Sequence, residues 1–150
     1  MKRLFLDANV LFTAAHNPGG KAATVVWLAA WGAWHAVSSE YAVKEARRNL
    51  ARKYPQALDR LSLVLGGVRI VRQSPPPTAD TGAELIRSRA ELPLKDQLIL
   101  DAALGCRATH LLTGDIRHFG PLMDRPDSVG GLIVQTVSGF LAGETDARGV

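Results

Sequence analysis

A three-layer α/β/α architecture with a mainly parallel central sheet is the fold class this sequence predicts, on three observations. Short apolar runs alternate with segments of helical period, the order that builds parallel strands covered by helices on both faces. No internal repeat and no linker interrupts that alternation, so residues 1–150 read as a single domain with a core of about 3–141. The 150 residues are 47% hydrophobic, enough apolar material for one continuous interior.

Arg3 to Leu6 is an apolar run closed by Asp7-Ala8-Asn9, which predicts a strand followed by a helix that opens before Val10-Leu11-Phe12. Lys21 to Trp34 carries no charge after Lys21 and spaces Trp27, Trp31 and Trp34 at i, i+4 and i+7, which predicts a helix buried on nearly all sides. His35-Ala36-Val37 is a brief strand. Ser38-Ser39 then offers N-caps for a helix through about Arg52, with Ala42, Ala46 and Leu50 as its apolar stripe. A helix over about Gln56 to Leu65 stops at Gly66-Gly67, and Val68 to Val71 is a strand. Pro75-Pro76-Pro77 forbids regular structure, and Thr81-x-x-Glu84 has the form of a capping box opening a helix through Ala90. After Pro93 a helix spans about Leu94 to Cys106, with Leu98, Ala102 and Cys106 on one stripe. His110 to Thr113 is a strand entering the turn Gly114-Asp115, Leu132-Ile133-Val134 is the last strand, and residues 142–150 read as a frayed tail.

Composition narrows the function classes. Cys106 is the one cysteine, which excludes an intramolecular disulfide and a Cys-rich zinc site and points to the reducing cytoplasm. Only Leu4-Phe5-Leu6 separates Met1-Lys2-Arg3 from Asp7, too short an apolar run for an export signal. The longest uncharged run, Ala22 to Ala36, falls short of the roughly 18 apolar residues of a membrane span, so no membrane partner is expected. Eighteen Lys and Arg against fourteen Asp and Glu give a charge of +4, a mild lean toward a polyanionic partner.

In an open sheet, functional groups collect beyond the carboxyl ends of strands, where Asp7 and Asp115 both stand. Each acid has an ordinary account. Asp7 is placed to cap a helix, Asp115 follows Gly114 in a turn, Asp96 lies in a helical first turn, and Glu45 has Lys44, Arg47, Arg48 and Arg52 around it as ion-pair partners. Taken together they suggest more, because two cap strand ends and two sit on helices able to lean over the same rim. Four carboxylates in one cleft resist ionisation unless a cation neutralises them, and ligands without His or Cys select Mg²⁺ or Mn²⁺ over Zn²⁺. Such an ion activates water for attack on a phosphodiester.

Four segments in this order resemble the PIN domain family, specifically its bacterial toxin-like (VapC-like) ribonuclease branch. They are Leu6-Asp7-Ala8-Asn9-Val10-Leu11, then Ser38-Ser39-Glu40 with Lys44 through Leu50, then Lys95-Asp96-Gln97 through Leu104, and Leu111-Leu112-Thr113-Gly114-Asp115 through Phe119. The resemblance implies that Asp7, Asp96 and Asp115 hold Mg²⁺ or Mn²⁺, with Glu45 acting directly or through water and Asn9 and Thr113 as supporting polar groups. It implies an endoribonuclease, a toxin silenced by a small cognate antitoxin, and a homodimer. Asp101 departs from the family pattern, which has a small apolar residue there, and a surface charge is one account of it. Thr136-Val137-Ser138 replaces a proline-containing approach to the last helix.

Lys44, Arg47, Arg48, Arg52 and Lys53 share the helix of Glu45, where they would steer RNA phosphates or form an ordinary solvated face. Arg117 is a further candidate contact, and His118 reads as a surface residue. The three tryptophans read as core packing, and an exposed edge among them would suit a dimer or antitoxin groove. Two other functions stay open: a non-catalytic RNA- or protein-binding module, and a haloacid dehalogenase-type phosphatase with Asp7 as nucleophile. The second needs an acid where Asn9 stands.

Overall fold

A computed structural model describes residues 1–147. Strand and helix alternate from the start: β1 (Arg3–Leu6), α1 (Ala8–His16), α2 (Lys21–Ala30), β2 (His35–Ser39), α3 (Glu40–Lys53), α4 (Leu58–Leu65) and β3 (Arg69–Val71). The second half follows with α5 (Ala83–Ala90), α6 (Leu94–Gly105), β4 (His110–Leu112), α7 (Ile116–Phe119), β5 (Ile133–Gln135) and α8 (Val137–Ala147). The strands form one five-stranded sheet in the order β3-β2-β1-β4-β5, and every neighbouring pair is parallel. The expected three-layer α/β/α fold is therefore the fold observed.

β1 is the central strand. Phe5 pairs with Val37 on one side and Leu111 on the other, and Leu4, Phe5 and Leu6 are all fully buried. Both faces of a covered parallel strand are interior, so the run reads as continuously apolar without alternation. From β1 the chain steps outward through β2 to β3, then returns to β4 on the other side of β1 and steps outward to β5. Right-handed crossovers in opposite directions put the connecting helices on opposite faces and leave a crevice between the ends of β1 and β4. The buried Ser38 hydroxyl donates to the Leu6 carbonyl at 2.7 Å, fastening β2 to the end of β1, and Ser39 caps α3 by accepting from Ala42 N at 3.1 Å.

Several local expectations are corrected. The helix of the tryptophans ends at Ala30, and Gly32, with φ 94°, turns the chain before Trp34. Its buried face is Ala22, Ala23, Val25 and Val26, so Trp27 and Trp31 point the other way, 45% and 87% exposed. Only Trp34 is core, its indole N–H donating to the Val25 carbonyl at 3.0 Å and its ring edge-on to Phe140. The capping box does not form. Thr81 Oγ1 donates to the Thr78 carbonyl, Glu84 accepts from Ser128 Oγ, and α5 opens instead at Gly82 with φ 111°. Helix α8 continues to Ala147, past the expected start of a frayed tail, and residues 148–150 lie outside the described residues.

Asp101 is not a surface charge. It is 3% exposed on α6, and Arg89 of α5 donates to both its oxygens, Nε to Oδ1 and Nη2 to Oδ2, each at 2.8 Å. Removing one partner of such a pair leaves the other charge without compensation. Arg89→Met should lower the unfolding free energy by about 3 kcal/mol in urea titrations, because the buried carboxylate cannot reach water. Asp101→Asn should cost less, since the Arg89 side chain keeps 22% exposure. Losses below about 0.5 kcal/mol in both would mean that the pair does not hold α5 on α6.

Candidate active site

The ends of β1 and β4 are laced together by side chains. Asp7 leaves β1 with Oδ1 accepting from Ala8 N at 2.7 Å, which caps α1, and with Oδ2 accepting from Thr113 Oγ1 at 2.8 Å and Asn9 Nδ2 at 3.3 Å. Thr113 follows β4, is fully buried, and accepts from Asp115 N at 3.0 Å. Asn9 Oδ1 accepts from Gly114 N at 2.7 Å. The network sets the orientation of Asp7 and the course of the chain into Asp115.

Asp115 caps α7 through Oδ1, which accepts from His118 N at 3.1 Å, while its Oδ2 lies 2.8 Å from His118 Nδ1. A carboxylate only accepts, so Nδ1 carries the proton of that bond. Asp96 reaches the same place from the first turn of α6. It is 4% exposed, and its Oδ2 has no hydrogen-bond partner, although His118 Nδ1 stands 3.4 Å away. Ligand atoms of Asp96, Asp115 and His118 all lie within 4.8 Å of one another. Asp7 and Glu45 line the same cavity, of about 250 Å³.

Helix α3 contributes Tyr41, Glu45, Asn49 and Lys53, four residues apart, as one stripe along that cavity. Glu45 pairs with Arg48, three residues on. Of the basic residues on this helix Lys53 lines the cavity, whereas Lys44, Arg47 and Arg52 are exposed away from it, as is Arg117 on α7. Lys95, beside Asp96, lines the cavity and was not anticipated. Nor was His118, expected at the surface, and the expectation of a cluster free of histidine is corrected accordingly. The signals were present: His118 is three residues after a helix-capping acid, and Asn49 and Lys53 follow Glu45 at helical spacing.

Burial pushes the Asp7 carboxyl up to about 6, against the hydrogen bonds from Thr113 and Ala8 and with the charges of Asp96 and Asp115 adding to the rise. Asp96 is raised by burial first and by Asp115 second, with Lys95 and His118 opposing. Asp115 is also penalised by burial, but the side-chain and backbone hydrogen bonds of His118 and the charges of His118 and Lys95 outweigh it and bring it below the usual range. The site thus concentrates more negative charge than its own donors satisfy. A hard divalent cation fits the orphaned Asp96 oxygen and the carboxylates around it.

The Asp7 shift makes stability depend on pH. Between 3.8 and about 6 the folded chain holds a proton that the unfolded chain releases, so this contribution is complete below 3.8 and is lost as pH rises through about 6. In chelator, Asp7→Asn should melt close to wild type at pH 4 and several degrees above it at pH 7, and Asp96→Asn should shift the same way. Equal melting temperatures at pH 7 would show that the acids do not strain the fold.

No family model matches the sequence, and no curated protein matches it in sequence. Solved structures do match its shape. VapBC2 from Rickettsia felis, bound to a DNA fragment from its promoter, aligns with TM-score 0.59 and 18% identity over 89% of this chain and 98% of that one. DNA-bound VapBC from Salmonella typhimurium gives 0.59 and 18% over 91% and 99%. PAE2754 from Pyrobaculum aerophilum gives 0.58 and 18% over 94% and 88%. With its parallel sheet ordered β3-β2-β1-β4-β5, the chain shares the three-layer α/β/α, PIN-like fold of these structures.

Proposed function

We propose that this chain is a metal-dependent endoribonuclease that hydrolyses RNA phosphodiester bonds and is the toxin component of a toxin–antitoxin pair. One observation carries the proposal: Asp7, Asp96 and Asp115, from two strand ends and a helical first turn, share a cavity in which a buried carboxylate oxygen has no partner. Asp7, Asp96 and Asp115 would hold Mg²⁺ or Mn²⁺, with Glu45 acting directly or through water. When bound, such an ion lowers the pKa of a water and stabilises the charge that develops during phosphodiester hydrolysis.

The protein's own groups prepare that chemistry. Thr113 and Asn9 hold the Asp7 carboxylate in one orientation, and His118 does the same for Asp115 while adding positive character beside Asp96. Lys53 and Lys95 give an incoming phosphate a favourable field where the bare acids would repel it. The choice of RNA over DNA rests on the family resemblance. Trp27 on α2 and Trp31 just past its end are exposed aromatic anchors of the kind that fill a protein partner's pockets, which suits an antitoxin or a second copy of this chain.

Purified protein should cleave RNA with Mg²⁺ or Mn²⁺ and lose cleavage with Asp7→Asn, Asp96→Asn or Asp115→Asn. Cleavage persisting in excess chelator would falsify the metal role. His118→Ala should raise the Mn²⁺ concentration needed for half-maximal activity about tenfold, as expected when a group that orients a ligand is removed. An unchanged Mn²⁺ requirement would show that the His118 ring does not position Asp115 for the ion.

A further inference from the structure

Beyond Asp115 the acid-lined cavity continues into a second one of about 530 Å³. Asn9, Thr13 and Asp115 belong to both, so the two form one groove along the start of α1. The far wall is the start of α2 with Lys21 and the start of α8 with Thr136 and Ser138. Lys53 and Lys95 line the first cavity together with the acids, and Lys21 lines the second, which Asp115 borders.

Lys21 is exposed, its Nζ lies 3.5 Å from Ser138 Oγ, and among the described residues no carboxylate is within ion-pair distance of it. An ammonium and a hydroxyl at the mouth of a cavity are donors suited to a phosphate. The walls between them and the acids mix Val10, Ala22 and Val137 with the hydroxyl of Thr13, a surface for a base and a ribose together. A volume near 530 Å³ is within the range of small-ligand pockets and suits one unpaired nucleotide, not a duplex.

We propose that this second cavity seats the nucleotide adjoining the scissile phosphate, with Lys21 and Ser138 holding that nucleotide's outer phosphate. The inference rests on the nuclease reading of the acid site and specifies its substrate: a single strand carrying a further phosphate on the Lys21 side of the cleaved bond. A dinucleotide, which lacks that phosphate, is then a poor substrate.

The test uses Mn²⁺-loaded protein and a short single-stranded oligoribonucleotide cut at one mapped bond. Lys21→Ala should raise KM about tenfold with kcat within about twofold, and Lys21→Arg should keep most of the wild-type KM. On the non-cleaving Asp96→Asn background, Lys21→Ala should weaken binding of the same labelled strand by a similar factor. The slope of log affinity against log salt should fall by about 0.7. Replacing the flanking phosphates one at a time by uncharged methylphosphonates should reproduce the KM rise on one side only, and on that strand Lys21→Ala should add nothing. If wild type cleaves and Lys21→Ala leaves KM, affinity and salt slope unchanged, this inference is overturned while the nuclease reading stands. Additive effects of Lys21→Ala with both methylphosphonates would also overturn it, because the lysine would then act as general charge. No cleavage by wild type under any metal would overturn the nuclease reading and this inference with it.

Discussion

The hydrogen bond from Thr113 to Asp7 joins the ends of β1 and β4, and much of the rest of the molecule depends on it. Those strands are neighbours only because the chain reverses its direction of progress through the sheet between them. Reversal opens the crevice, and Thr113 and Asn9 close its floor with polar groups that answer each other. The centre of this floor, the bond from Thr113 to Asp7, is buried, and a misplaced group there would lose its partner without reaching water. Asp7 is thereby held facing the cavity instead of turning outward as an ordinary helix cap would.

Around that floor the electrostatics are deliberately unbalanced. Burial and mutual repulsion raise Asp7 and Asp96, while His118 pulls Asp115 down, so three neighbouring carboxyls have unlike proton affinities. Asp115 is the most acidic of the three, and Asp7, raised to about 6, gives up its proton last on the acid side of neutrality. The unsatisfied Asp96 oxygen marks where this imbalance is greatest. The Arg89–Asp101 pair fixes the same helix that delivers Asp96.

The division of labour along α6 shows how one helix serves both ends. Asp96 in its first turn faces the cavity, Asp101 five residues later faces α5, and Ile99, Leu100, Ala102 and Ala103 face the core. On α2 the apportionment differs, since Trp27 and Trp31 have no interior to enter. Their exposure leaves an apolar edge on a helix whose first residue, Lys21, borders the groove.

The sequence alone determined the alternation of strand and helix, the parallel sheet, and the positions of Asp7 and Asp115 at strand ends. These follow from local apolar runs, caps and the period of each segment, which neighbouring residues settle among themselves. It also marked Asp96 and Glu45 as candidates, through a family-like pattern, without specifying what surrounds them. Tertiary structure decided the remainder. His118 meets Asp96 because the turn after β4 brings α7 to the rim where α6 begins, Asp101 is buried because α5 lies over it, and Trp31 is exposed because a glycine ends α2 one turn early. Periodicity reports that a helix has an apolar face, but which neighbour covers that face, and which charge meets which, is fixed only by contacts between residues far apart in the chain.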